Sequence, residues 1–269
     1  MKLFYRKYGE GPTIIIIHGL YGASDNWAGI GKMLSNHFEV FTIDQRNHGR
    51  SPHSPEHSYN LMKNDLLEFM DDHGIQESIL LGHSMGGKTV MHFAASYPER
   101  VNGLIVVDIA PKSYTNISKP ENKSIDHQAI INALKKVNLE QVKTRTEADQ
   151  QLKHDIASDN VRLFLLKNLH RNKDLSFTWI LNIDALNKNL PEILEGIDQK
   201  RFEYGNSVTG FPVLFIRGAN SPYVQDEDIP LIKSIFAVAD VITIKDAGHW
   251  LHVEQPKLLV QTIIDYFMD

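Results

Sequence analysis

The chain contains no cysteine, which excludes disulfides, thiolate metal sites and a cysteine nucleophile at once. Long apolar runs are also missing. Ile14–Ile17 is the first strongly apolar stretch, far short of the roughly 20 residues a membrane-spanning helix needs. The opening residues Met1 to Tyr8 hold no apolar segment of signal-peptide length, so the expectation is a cytoplasmic protein without stable membrane insertion. Positive charge is nowhere concentrated. With 28 Lys and Arg against 33 Asp and Glu, the net charge is −5, and no basic run offers a local site, which excludes nucleic acid and other polyanions as partners. None of the 13 histidines falls in an H-E-x-x-H zinc pattern, and neither a metal nor an organic cofactor is implied.

What the chain does have is material for a large core, 42% hydrophobic against 23% charged residues over 269 positions, as an ordinary globular protein does. Short β-branched or aromatic runs recur: Thr13 to Ile17, Val40 to Ile43, Ile79 to Leu81, Leu104 to Val107, Val213 to Ile216 and Val241 to Ile244. They read as buried parallel strands. Helix-length segments separate most of them, namely Trp27 to Asn36, Leu61 to His73, Gly86 to Tyr97 and Asp228 to Phe236, the alternation an open α/β sheet requires. Leu3 to Tyr8 can add an antiparallel edge. Strand signals fade from residue 111 to 206, where helical patterns at Ile125 to Val137, Ala148 to Ile156 and Asn160 to Leu169 take over. A structureless loop of that length is very unusual in a compact domain. The expected division is therefore a core of residues 1–110 and 207–269, with residues 111–206 inserted as a helical cap before the penultimate strand.

The chemistry concentrates at three loops that follow strands. In Gly82-His83-Ser84-Met85-Gly86 a strand runs through G-x-S-x-G into a helix, a turn that lifts the serine hydroxyl above the sheet and leaves no room for side chains at the flanking glycines. A bland reading is a glycine-rich turn with a serine helix cap. A competing one is a phosphate loop, because Gly82 to Thr89 also satisfies G-x-x-x-x-G-K-[ST], with Asp108 as a magnesium-associated aspartate after an apolar strand. That nucleotide-binding reading leaves His18-Gly19 and Gly248-His249 without roles. Hydrolysis uses them all. The loop after Ile17 can turn backbone N–H groups toward a developing oxyanion, those of Leu20 and Met85 being the candidates. His249, just past the last strand, is the candidate general base for Ser84, while His252 falls in the next helix.

Together, His18-Gly19, Gly82-His83-Ser84-Met85-Gly86 and Gly248-His249, in that order over nearly the whole chain, resemble the α/β-hydrolase superfamily. Asp44-Gln45-Arg46-Asn47-His48-Gly49, Gly87-Lys88 and Val107-Asp108-Ile109-Ala110-Pro111 narrow the resemblance to the YbfF-like bacterial esterases and their ABHD11-type relatives. This implies an α/β-hydrolase fold and hydrolysis of esters or acyl thioesters through a Ser-His-Asp triad and an acyl-enzyme. The loop where the acid usually stands reads Gly218-Ala219-Asn220-Ser221-Pro222 and has no carboxylate. Asp108, at a neighbouring strand end, resembles the acid position of the YbfF-like esterases and is the choice over Asp226 and Asp246. Asp44 and Arg46 read as a charged pair that fixes their loop. Trp27, His48, Phe164, Phe177, Trp179 and Trp250 are candidate substrate-pocket residues, although apolar residues at helical spacing are more often plain core. The serine at the elbow disfavours dehalogenases and epoxide hydrolases, which carry aspartate there. Carbon–carbon bond hydrolases, perhydrolases and a non-catalytic binding protein on the same fold stay open. The expected partner is a small-molecule ester or acyl thioester.

Overall fold

The computed structural model describes residues 1–115 and 126–268; Ile125, the first residue of one expected helix, lies outside them. In chain order the strands are β1 (Tyr5–Tyr8), β2 (Thr13–Ile17), β3 (Glu39–Ile43), β4 (Ser78–His83), β5 (Val101–Val107), β6 (Leu169–Arg171), β7 (Phe177–Trp179), β8 (Val213–Gly218) and β9 (Ala239–Ile244). The α-helices are α1 (Ala28–Leu34), α2 (Tyr59–Asp72), α3 (Met85–Ala94), α4 (His127–Lys136), α5 (Arg145–Leu152), α6 (Asp159–Leu166), α7 (Ile183–Lys188), α8 (Leu190–Leu194), α9 (Ile229–Ile235), α10 (Leu251–Glu254) and α11 (Pro256–Met268).

Seven strands form one sheet in the order β1-β3-β2-β4-β5-β8-β9. Only the edge pair β1 and β3 is antiparallel. The unbroken apolar run of β2 follows from burial on both sheet faces. Ile15 and Ile17 pack with Leu66, Phe69, Val90 and Phe93 from α2 and α3, whereas Ile14 and Ile16 pack with Trp27, Ile30, Leu34 and Ile263 on the α1 and α11 side. A period of two thus sends alternate isoleucines of one strand into two separate cores.

Between β5 and β8 lie α4 to α8 and an antiparallel hairpin, β6 with β7. The hairpin departs from the expectation of helices alone: Leu169, expected to close a helix, pairs with Trp179 instead. Three-residue strands carry too little periodicity to stand out from their surroundings. Helix α5 starts three residues before the expected Ala148, because Thr144 accepts from the Glu147 N–H at 3.2 Å and Glu147 accepts from the Lys143 N–H at 2.7 Å, a local capping arrangement.

The inserted elements share an apolar cluster that includes Ile131, Leu134, Leu152, Leu165, Phe177 and Leu186, with Leu20 and Met85 joining it from the sheet side. Helix α8 is held at its C-terminal end. Its orphan carbonyls accept from the Tyr59 hydroxyl (Ile193 O, 2.5 Å), the Tyr114 N–H (Leu194 O, 2.7 Å) and the Lys88 ammonium (Leu194 O, 3.1 Å, and Glu195 O).

Asp44 and Arg46, read from sequence as one pair, have separate partners. The Asp44 carboxylate accepts from the Ser24 and Arg50 N–H groups at 2.6 and 2.8 Å. Arg46 makes a two-pronged bond to buried Asp65 at 2.6 and 2.8 Å. Removing one partner of such a pair leaves an uncompensated buried charge. Asp65→Ala is therefore expected to lower stability by about 3–5 kcal/mol, measured by chemical denaturation, and Asp65→Asn, which keeps a hydrogen-bonding side chain, by less.

Candidate active site

Strand β4 delivers Ser84 into a turn with φ 53° and ψ −119°, immediately before α3. A side chain with positive φ is strained by about 1–3 kcal/mol, and the surroundings hold it there. The Ser84 N–H donates to Val107 O at 3.0 Å, and its carbonyl accepts from the Lys88 N–H at 3.1 Å. Neighbouring backbone comes so close that a Cβ at Gly82 would stand 2.2 Å from Gly86 O, and one at Gly86 2.3 Å from Ile17 O.

The loop after β2 approaches from the other side. A Cβ at Gly19 would lie 3.1 Å from the Ser84 Cβ. Two buried histidines shape this loop. His18 donates from Nδ1 to Gly19 O at 2.8 Å and accepts at Nε2 from the Gln45 N–H at 2.9 Å. His48 donates from Nδ1 to Arg46 O at 2.9 Å and accepts at Nε2 from the Tyr21 N–H at 3.3 Å. The Leu20 and Met85 amides donate to no other group among the described residues, and both residues line the cavity that contains Ser84. Two unspent N–H donors beside one hydroxyl suit an oxygen that acquires charge.

His249 Nδ1 lies 2.7 Å from Asp108 Oδ2. Facing a carboxylate, Nδ1 carries the proton, so in the neutral ring Nε2 keeps its lone pair. Asp108 is fully buried, at 0% exposure, with φ 52°. It also accepts from the Gly218 N–H at 3.1 Å and from the Ser221 hydroxyl. Asp226 is instead paired with Arg217 at 2.6 Å on the surface, and the Asp246 carbonyl accepts from Gln255 at 3.3 Å. Ser221 was missed by sequence reasoning, which searched this loop for a carboxylate. The available signal was a polar side chain at the place where the acid was absent. Tyr223, equally missed, stacks on the His249 ring at 4.0 Å and 22°.

Two cavities meet at Leu20, Ser84 and His127. The first continues past Met85, Ile109, Leu190, Ile193 and Tyr223 to Lys88, the second past His249, Trp250, Trp27 and Phe164. Three candidate pocket residues lie elsewhere. His48 is bonded into the loop as described, Phe177 is buried in the apolar cluster of the inserted elements, and Trp179 packs against that cluster. Their side chains serve packing and loop geometry. Lys88 and Thr89, the residues a phosphate loop would turn toward nucleotide and magnesium, are also engaged internally: Lys88 on α8, Thr89 donating to Gln45 Oε1 at 2.9 Å.

Burial sets the electrostatics. Desolvation lowers the pKa of His18, and drives those of His48 and His83 well below the usual 6.5. It takes His57 and His252 to about 3, and His127 and His92 to about 4. Neutral rings of fixed tautomer then act as hydrogen-bonding struts, as when His83 Nε2 donates to His249 O at 2.8 Å. Lys88, stripped of water beside the faces of Tyr114 and Tyr59, falls from 10.5 to about 7.

A model of the alpha/beta hydrolase fold family matches residues 12–256. The chain is 35% identical over 267 residues to an sn-1-specific diacylglycerol lipase, ABHD11, of Danio rerio, covering 96% of this chain and 79% of that protein. It is 31% identical over 256 residues to the esterase YbfF of Escherichia coli, covering 95% and 93%. A solved marine microorganism esterase is 45% identical and superposes with a TM-score of 0.92 over 99% of both chains. Among the described residues no helix is long and apolar enough to cross a membrane.

The buried histidines fix the response to acid. A ring held neutral in the fold takes up a proton on unfolding, so its contribution to stability is complete above about 6.5 and is lost as pH falls toward the folded values near 3–4. The midpoint of thermal unfolding is expected to drop steeply between about pH 6.5 and 4, followed by circular dichroism. His57→Asn is expected to make that drop shallower.

Proposed function

Because the chain belongs to the alpha/beta hydrolase fold family and is a hydrolase of the esterase or lipase type, we propose that it cleaves carboxylic esters through Ser84, His249 and Asp108. The observation that carries this reading is the 2.7 Å bond from His249 Nδ1 to buried Asp108, beside a strained elbow serine in a shared cavity. Ser84 Oγ attacks the carbonyl carbon while His249 Nε2 takes its proton. The oxygen becomes an oxyanion held by the Leu20 and Met85 amides, each worth about 3 kcal/mol in the transition state. His249 then returns the proton to the departing alcohol, leaving an acyl-serine. Water, deprotonated by the same nitrogen, releases the acid and restores Ser84. Asp108 holds the tautomer and stabilises the imidazolium without itself taking the proton.

The two cavities divide the substrate. His249 lines only the second, so the leaving group, which receives its proton, belongs there, and the acyl group belongs in the first. The inserted helices α4, α6 and α8, which line these cavities, act as the cap over them. Acyl thioesters can follow the same steps, with a thiol as leaving group. The lipase name of the ABHD11 relative makes acylglycerols natural candidates alongside simple esters.

Ser84→Ala is expected to lower kcat for p-nitrophenyl esters by about four to six orders of magnitude, and Asp108→Asn by about four. A Ser84→Ala protein that keeps most of its activity would falsify the scheme. A fluorophosphonate should label Ser84 in the native protein and fail in the alanine variant, which separates an enzyme from a binding protein on the same fold. Matched esters and thioesters of one acyl group, compared by kcat/KM, measure the leaving-group preference. ATP with magnesium, followed by calorimetry, is expected to give no binding heat, since Lys88 is committed to α8.

A further inference from the structure

We infer that Tyr223 is a positioning residue for His249, its aromatic face fixing the tilt of the imidazole and stabilising the positive charge the ring gains when it takes the Ser84 proton. This inference rests on the triad reading above. A single in-plane bond, Nδ1 to Asp108 at 2.7 Å, leaves the imidazole free to rock about that bond. Tyr223 removes this freedom. Its ring is stacked on the imidazole with centroids 4.0 Å apart and planes 22° from parallel, while His83 lies at 4.7 Å and 41°.

Tyr223 is held by the segment that carries the acid. Its N–H donates to Ser221 Oγ at 3.3 Å, and its carbonyl accepts from the Tyr114 hydroxyl at 2.6 Å. That hydroxyl in turn accepts from the Ala110 N–H at 2.9 Å, two residues beyond Asp108. The stack and the carboxylate therefore keep a fixed relation to each other.

The charges around His249 give the stack its electrostatic weight. His83, His127 and His252 interact with it, and burial holds all three neutral. Asp108 faces the ring as the negative partner in its plane. An imidazolium formed here meets the negative face of an aromatic ring out of plane, and with the His249 side chain only 12% exposed such a contact is stronger than it would be in open water. Tyr223 also lines the first cavity, so an acyl group bound there packs against the ring and keeps water from the stack.

The test is the pH profile of kcat/KM on a p-nitrophenyl ester for the native protein, Tyr223→Phe, Tyr223→Leu, and a protein carrying pentafluorophenylalanine at position 223. Tyr223→Phe keeps the aromatic face and is expected to stay within about threefold of native with the acidic limb unmoved. Tyr223→Leu is expected to lower the plateau about tenfold and to move the midpoint of the acidic limb about half a unit lower, because the imidazolium is less stabilised. The fluorinated ring has nearly the same shape and a reversed quadrupole, so it should shift the limb in the same direction, and it carries the test if the leucine protein does not fold. A leucine variant with a lowered plateau and an unmoved limb, or a fluorinated variant that matches native, overturns the inference. Ser84→Ala and fluorophosphonate labelling on the same preparations separate the two levels. If labelling and dependence on Ser84 persist while the 223 variants leave the profile unmoved, only the role of Tyr223 falls; if Ser84→Ala remains active, the triad reading falls and takes this one with it.

Discussion

The close passage of backbone past backbone at the tips of β2 and β4 is the constraint on which the rest of the site depends. The turn at Ser84 fits only because Gly82 and Gly86 leave gaps of atomic size against Gly86 O and Ile17 O, and the loop after β2 reaches it only because Gly19 does the same against Ser84. Each is a steric requirement met by backbone atoms that cannot move aside. Once these contacts are made, the backbone that carries Ser84 and the two unspent amides of Leu20 and Met85 has little freedom left.

The carboxylate reaches His249 from an unusual direction. It sits at the end of β5, and the loop after β8 contributes a hydroxyl, Ser221, where a carboxylate was looked for. Because β5 and β8 are hydrogen-bonded neighbours, a side chain at the tip of either can reach the same imidazole. Burial then makes the arrangement rigid. A fully buried carboxylate must have its acceptor sites filled, and the three donors from Gly218, Ser221 and His249 fill them from three different segments.

The surrounding histidines follow from the same economy of water. A neutral imidazole has one donor and one acceptor, which suits it to tie a loop at two points. His18 and His48 do this beneath the loop that carries Leu20. Across the sheet edge, Lys88 reaches from α3 to the carbonyl end of α8. The elbow helix and the elements that roof the cavities are thereby joined by one side chain. Its sequence context suggested nucleotide; its partners are carbonyls of the same chain.

Local sequence was enough for the parallel sheet and for the strained turn at Ser84, because each has a short-range cause. Buried strands need unbroken apolar runs, and a strained turn needs its glycines. Helix ends were less legible, since the Thr144 and Glu147 capping pair moves α5 by three residues, and the β6–β7 hairpin was too short to register. What only the tertiary structure decided were relations between residues far apart in the chain. These include the service of Ser221 and Tyr223 to the Asp108–His249 pair, and the withdrawal of His48, Phe177 and Trp179 from the cavity walls. Sequence patterns report periods and turns within a dozen residues. Which side chain meets which across 141 positions, as Asp108 meets His249, depends on strand order, and strand order exists only once the sheet has formed.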